Sequence, residues 1–139
     1  MIILDTNVLS EPLKPEPNLG VMRWLDNQPL ESLFITATVL SEIEYGVERL
    51  ADGKRKDKFR SDTEKLIQYY FNARILPFDE NAARLYATKV AQASRNGRAV
   101  QVSDGQTAAV ALSHNYIVAT RDVAPFDVMG VTVINPWEL

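Results

Sequence analysis

Single carboxylates stand at the edges of the most hydrophobic segments of this 139-residue chain. Asp5 ends the apolar run of "MIILD", Asp104 precedes the small and apolar residues of "SDGQTAAVAL", and Asp122 follows the β-branched run of "YIVATRD". Glu42, in "TVLSEIEYGVERL", lies off the Val39, Ile43, Val47 and Leu50 stripe of its segment. Aspartate is a poor strand former and is almost never fully buried without a partner. Carboxylates a few ångströms apart repel, and one is forced to take up a proton. A hard divalent cation removes the conflict, because Mg²⁺ or Mn²⁺ prefers carboxylate oxygen and water. Such a site lowers the pKa of a bound water and clamps a phosphodiester for in-line attack. The chain has no cysteine and one histidine, His114, so neither thiolate nor Ser/His/Asp chemistry is available. An inventory of acids alone points to metal-assisted hydrolysis.

The elements that would hold these acids alternate along the chain. Residues 2–5, 33–36, 74–78, 116–120 and 131–135 read as short strands. Helical patterns occupy 18–28, 38–51 with Thr38 as N-cap, 57–72, 80–95, and a short Ala-rich helix over 104–114 that Asp104 could cap. Apolar strands separated by helices indicate a parallel sheet covered on both faces. Pro12, Pro15 and Pro17 end the helix after residue 11 and form a turn within one domain spanning 1–139. In an open parallel sheet ligands bind outside the carboxyl ends of the strands. Asp5 and Asp122 fall there, with Asp104 and Glu42 on helices entering the same rim.

Composition sets outer limits. Hydrophobic residues make up 46% and charged residues 24%, the balance of an ordinary globular domain. The apolar runs are too short for a bilayer, and residues 1–4 lack the features of a signal peptide, so a cytoplasmic protein without a membrane role is expected. A net charge of −3 gives no general attraction for nucleic acid, so any such binding must be local.

Taken singly, each feature has a plain structural reading. Asp5 and Asp122 are ordinary turn residues, Asp104 an ordinary N-cap, Glu42 a solvated helix residue and His114 a favourable charge at a helix end. The run "GKRKDKFR" at 53–60 reads as a solvated loop and helix start, although five of the fifteen basic residues fall in it. Trp24, Trp137, Tyr69 and Tyr70 read as core or interface. "YYF" at 69–71, together with Trp137, suggests an exposed apolar surface, and hence a twofold homodimer. The joint placement of the acids is what carries information.

That placement resembles a known family. "MIILDTNVLSE", the glutamate of "TVLSEIEYGVERL", "ILPFDENAARLYA", "SDGQTAAVAL" and "VATRDVAPF" are similar to the PIN-domain ribonucleases, and more narrowly to the VapC/FitB-type toxins of bacterial toxin–antitoxin pairs. "DTNVLSEP" at the start and "NPWEL" at the end favour the FitB-like branch. The resemblance covers essentially the whole chain. It implies a three-layer α/β/α sandwich around a mostly parallel five-stranded sheet and Mg²⁺- or Mn²⁺-dependent cleavage of RNA. It also implies a homodimer, a cognate antitoxin and contact with DNA only through that antitoxin. Position by position, the acidic quartet falls on Asp5, Glu42, Asp104 and Asp122, as catalytic groups and metal ligands. Thr6 and Asn7 match the DTN motif, and Thr120 matches the threonine before the last acid. Arg121 and the basic run are candidate RNA contacts. Asp127 is a rival to Asp122 as fourth acid.

Three other readings compete. A phosphatase of the haloacid-dehalogenase type needs a second Asp two residues after the first, where this chain has Asn7. A receiver-like phosphoacceptor needs a lysine near the last strand, and "VTVINPWEL" has none. The remaining alternative is a PIN fold acting mainly as a protein-binding partner in an antitoxin–DNA complex.

Overall fold

A computed structural model describes residues 1–72 and 74–139. Five short strands, β1 (Ile2–Leu4), β2 (Leu33–Thr36), β3 (Ile75–Leu76), β4 (Ile117–Ala119) and β5 (Val133–Ile134), form one sheet in the order β3-β2-β1-β4-β5. Every pairing is parallel, so the sheet is parallel throughout its described strands. β2 matches the stretch read from sequence, and the other four strands lie inside theirs but are shorter, with turns or helices taking up the ends.

Alternation along the strands splits the core in two. Ile2 and Leu4 of β1 point to one face with Leu33, Ile35 and Ala119, while Ile3 points to the other with Phe34 and Val118. The first face is covered by α1 (Thr6–Ser10), α2 (Leu19–Asp26), α3 (Ala37–Glu48) and α4 (Lys54–Phe71). The second is covered by α5 (Glu80–Arg95), α6 (Val102–His114) and α7 (Ala124–Val128). This is the three-layer α/β/α sandwich expected. The chain leaves β1 onto one face and β4 onto the other, so a topological switch point opens between these neighbouring strands.

Helix ends differ instructively from the sequence reading. Thr36, the last residue of β2, caps α3 by accepting from the Val39 N–H at 3.0 Å, and the expected cap Thr38 instead donates to Gln106 Oε1 at 3.1 Å. The helix starts directly off the strand, which moves the capping position back by two residues. A buried hydroxyl pair, Thr36 and Thr107 at 3.2 Å, joins the same corner to α6. Helix α6 begins at Val102, two residues before Asp104, and Gln101 precedes it without a side-chain cap. Asp104 is therefore not a cap. The basic run is a helix start, as read, with little loop in it: α4 begins at Lys54, directly after Gly53 at φ 149°, a backbone conformation that suits glycine. Of "YYF", only Tyr69 is exposed, because Tyr70 and Phe71 turn into the core. The surface argument for a dimer loses those two residues. Trp24 and Trp137 pack against the first core face.

Helices α5 and α6 pack unusually closely at Gly105. A Cβ built there would lie 2.7 Å from Tyr86 Cε2 and 3.2 Å from Val90 Cγ2. Tyr86 is held from behind by an edge-to-face contact with Phe78, with ring centroids 6.0 Å apart. The missing side chain of Gly105 lets α6 settle against α5 and sets the height at which Asp104 stands.

Candidate active site

Asp5 follows β1 and is the N-cap of α1, its Oδ1 accepting from the Thr6 N–H at 2.9 Å. Its other oxygen accepts from the Thr120 hydroxyl at 2.7 Å and from Asn7 Nδ2 at 3.4 Å. Asn7 is a hub. Its Nδ2 also reaches Thr120 Oγ1 at 3.1 Å, and its Oδ1 accepts from the Arg121 N–H at 3.1 Å. Thr120 Oγ1 in turn accepts from the Asp122 N–H at 3.1 Å. The DTN segment after β1 and the TRD segment after β4 thus form one polar lattice, with the backbone bond from Asp5 N–H to Ala119 C=O beneath it. Three residues on either side supply it, because β1 and β4 are in register.

Glu42 joins from α3, which covers the same face of the sheet as α1. The Thr6 hydroxyl donates to Glu42 Oε1 at 2.9 Å, so one residue of the DTN segment fixes the glutamate across 36 positions of sequence. Asp104 has no hydrogen-bond partner among the described residues. Its environment is nevertheless defined by charge. Burial first, then the charges of Asp5, Asp122 and Glu42, push its carboxyl up to about 6. Burial also raises Asp5, opposed by its bonds from Thr120 and Thr6 and reinforced by Asp122. Glu42 is raised by burial and by Asp5, against the bond from Thr6. All four acids read from the sequence therefore share one rim. Asp127 is exposed on α7 and is absent from the charges acting on Asp5, Glu42 or Asp104, so electrostatic coupling favours Asp122.

The donor set is oxygen only. Among the described residues no three acidic or histidine side chains are drawn tightly enough to wrap an ion by themselves. An arrangement of one well-held carboxylate, a second without partners and two more at the margin suits a hard cation that keeps most of its water. A cleft of about 440 Å³ opens beside Asp104 and Asp122, with Arg98 on its wall.

Two participants carry weaker sequence signals. Glu11 is buried at 3% exposure, its Oε1 accepting from the Asn18 N–H at 2.8 Å and its Oε2 facing Lys14 Nζ at 2.8 Å. Although burial raises its pKa, the Lys14 bond and charge, the Asn18 N–H and Arg121 outweigh it and hold the carboxyl below its usual range. It staples the Pro-rich turn under the site, and an acid opening a turn of three prolines was its only signal. Arg121 is backed by Trp137, its guanidinium carbon 5.3 Å from the ring centroid, which gives the "NPWEL" end a place beside the centre.

The shift of Asp104 has a consequence for stability. A carboxyl that binds its proton more tightly when folded favours folding when protonated and opposes it when ionised. The cost is absent below the ordinary value of 3.8 and complete above the folded value of about 6. Without divalent ion, Asp104→Asn should melt above wild type at about pH 7.5, and that difference should vanish near pH 4. Two pH units correspond to about 3 kcal/mol, reduced to about 1–2 kcal/mol by solvent screening of a half-buried group. A difference that stays level with pH would refute the coupling.

Comparison with known proteins agrees with this arrangement. Residues 2–130 match the model of the PIN domain. VapC ribonuclease Y4jK of Sinorhizobium fredii is 42% identical over 138 residues, covering 99% of each chain. Toxin FitB of Neisseria gonorrhoeae is 44% identical over 137 residues, again covering 99% of each. Among solved structures, FitAcB from Neisseria gonorrhoeae superposes with a TM-score of 0.94 at 44% identity over the whole of both chains. The DNA-bound VapBC complex of Salmonella typhimurium, at 22% identity and a TM-score of 0.76, shares the fold over 97% of each chain. The match of residues 2–130 to the family model, with relatives 42% and 44% identical along nearly the full length, shows that this chain belongs to the PIN-domain family, with VapC and FitB toxins among its relatives.

Proposed function

We propose that the protein is the toxin of a toxin–antitoxin pair and that it hydrolyses RNA phosphodiesters with Mg²⁺ or Mn²⁺. The observation that carries the reading is the electrostatic convergence of Asp5, Glu42 and Asp122 on Asp104, a half-buried carboxyl without a hydrogen-bond partner among the described residues. Asp5 and Asp104 are the principal ligand candidates, with Glu42 and Asp122 completing the shell or orienting water. When bound, the cation supplies Lewis acidity, acidifying water and neutralising charge that develops on the phosphate. The protein's own part is positioning. Thr120, Asn7 and the Thr6 N–H fix the rotamer of Asp5, the Thr6 hydroxyl fixes Glu42, and the Gly105 contact sets the height of Asp104. Arg121, held against Trp137, is a candidate for the RNA backbone.

The partners follow from the relatives. FitB has been solved as FitAB bound to a DNA fragment, and VapBC complexes have been solved on promoter DNA. A small cognate antitoxin is therefore the expected inhibitor here, with DNA reached through it, and a homodimer is the expected assembly. Incubation of the purified protein with total RNA, with Mn²⁺ and with EDTA in parallel, tests the reading. Cleavage with Mn²⁺ that EDTA suppresses supports it, and no cleavage under either condition rejects it.

The lattice around Asp5 adds a graded test. Thr120→Val keeps the shape but removes the hydroxyl that donates to Asp5 and accepts from the Asp122 N–H. Cleavage should fall about 10–100-fold, the usual scale for a group that orients a ligand. It should need more Mn²⁺ for half-maximal rate, and Thr120→Ser should restore most of it. Unchanged metal dependence in the valine variant would remove Thr120 from the machinery.

A further inference from the structure

The carboxylate centre opens on its α3–α4 side into a groove of about 610 Å³, whose wall includes Thr6 and Glu42 of the centre itself. Away from the centre the sign of the charge reverses. Lys14, Arg49, Arg55 and Lys58 line the groove, against Glu42 and Asp62 as its only acids. A second hollow of about 600 Å³ shares Lys14, Lys58 and Asp62 with the first and continues to Lys65 and Tyr69. The two hollows adjoin through these shared residues and together form a cationic channel on a protein whose net charge is −3.

Of these cations Lys14 is held by buried Glu11 at 2.8 Å, and the others are available. Arg49 and Arg55 make no ion pair among the described residues, whereas their neighbours Lys56 and Arg60 are tied to Glu48 and Asp52. Lys58 pairs with Asp62 at 2.7 Å, but both side chains are open to water, and such an exposed pair is worth little and exchanges readily. At the far end Tyr69 is 66% exposed, its ring braced edge-on against buried Tyr70 with centroids 4.9 Å apart. A fixed, exposed aromatic face at the end of a cationic channel is what a single nucleic-acid strand uses. Cations follow the phosphates and the ring takes a base. The floor of the groove, with Leu13, Ile43 and Phe59, gives unpaired bases apolar surface.

We propose that single-stranded RNA leaves the carboxylate centre along this channel, its phosphates held by Arg49, Arg55 and Lys58 and a base stacked on Tyr69. The proposal rests on the ribonuclease reading and adds the direction in which the substrate lies. Charge complementarity decides the occupant. The channel is basic where the rest of the surface is acidic on balance, and a polyanion gains most from that reversal.

The test uses the full-length protein and a fluorescein-labelled single-stranded RNA of mixed sequence. Anisotropy in EDTA reads binding without cleavage, and cleavage of the same RNA with Mn²⁺ gives kcat and KM. Arg55→Glu with Lys58→Glu should weaken binding by about 10- to 100-fold and reduce the slope of log affinity against log salt by about 1.4, the value for two phosphate contacts to a single strand. KM should rise by a similar factor while kcat holds. Tyr69→Ala should weaken binding by about 10-fold with the salt slope unchanged, since stacking releases no counter-ion. Arg84→Glu, a charge reversal of an exposed cation on α5, controls for reversal of a charge away from the channel and should leave both measurements unchanged. Wild-type binding and KM in the groove variants, with normal cleavage by the wild type, would overturn the channel while leaving the ribonuclease standing. Groove variants that bind RNA normally but no longer bind the cognate antitoxin would also overturn it and give the channel to a protein partner. A wild type that neither binds nor cuts RNA would reject the ribonuclease reading and the channel together.

Discussion

Asp5→Asn and Asp104→Asn are each expected to lower Mn²⁺-dependent RNA cleavage by about 10³-fold, the upper scale for loss of one electrostatic contact to a transition state. Both replacements keep shape and remove charge from an oxygen donor. Their side effects should differ, which separates chemistry from folding. Asp5 is buried and accepts three hydrogen bonds, one from the Thr120 hydroxyl at 2.7 Å. An amide there presents an N–H₂ to at least one donor, so Asp5→Asn should also lose stability. Asp104 has no partner to lose and three repelling neighbours. Asp104→Asn should therefore be inactive and, in EDTA near neutral pH, more stable than wild type. Mn²⁺ should raise the melting temperature of wild type and raise that of Asp104→Asn less, because binding to the native state alone stabilises it. Full activity in either purified variant would exclude that residue as a ligand. An Asp104→Asn protein less stable than wild type in EDTA would contradict the crowding inferred at the rim.

Gly105→Val is expected to destabilise the protein by about 2–3 kcal/mol, the range for overpacking a close contact. The melting temperature should drop by about 10 °C for a domain of this size. Helix propensity alone predicts the opposite, since leaving glycine within a helix normally gains up to about 1 kcal/mol. The steric term wins because a Cβ would stand 2.7 Å from the Tyr86 ring, and Tyr86 is braced by Phe78 and cannot swing aside cheaply. Either α6 lifts or the ring is displaced. Lifting α6 carries Asp104 with it, so cleavage should fall at temperatures where the variant is still folded. Adding Tyr86→Ala should recover part of the stability, the coupling expected of residues in contact. A Gly105→Val protein as stable as wild type would show that the helices do not depend on this approach.

The placement of Asp5, Asp104 and Asp122 was legible from sequence because each stands at the end of an apolar strand or near the start of a helix, and a parallel sheet gathers such ends on one side. Glu42, by contrast, lies inside α3 and was marked only by falling off its apolar stripe. The partner of each acid was harder to read. Asp104 alone is indistinguishable from an N-cap, and only the start of α6 at Val102 turns its side chain to the cleft. Thr38 fits the capping position of the periodic pattern, yet the strand hands over to the helix two residues earlier, at Thr36. The hydroxyl pair of Thr36 and Thr107 spans 71 residues, and no local pattern announces it. Burial of Tyr70 and Phe71 beside exposed Tyr69 depends on how the end of α4 meets the core, a tertiary fact. Helix α7, five residues long with a proline near its start, lies below the length at which periodicity is visible.

The central strand is also the first to be synthesised. β1 lies between β2 and β4, and Asp5 takes its shortest hydrogen bond from Thr120, 115 residues later. A nascent chain can pair β1 with β2 early, but the edge of β1 that carries the site stays open until β4, at Ile117–Ala119, has been made. The carboxylates cannot gather before then, since two of the four lie beyond residue 100. Production of the protein and onset of its chemistry are separated in time by the order of strands in the sheet. A chain cut short before residue 104 would hold only Asp5 and Glu42 of the four acids. Topology thus ties assembly of the site to the arrival of β4 beside β1.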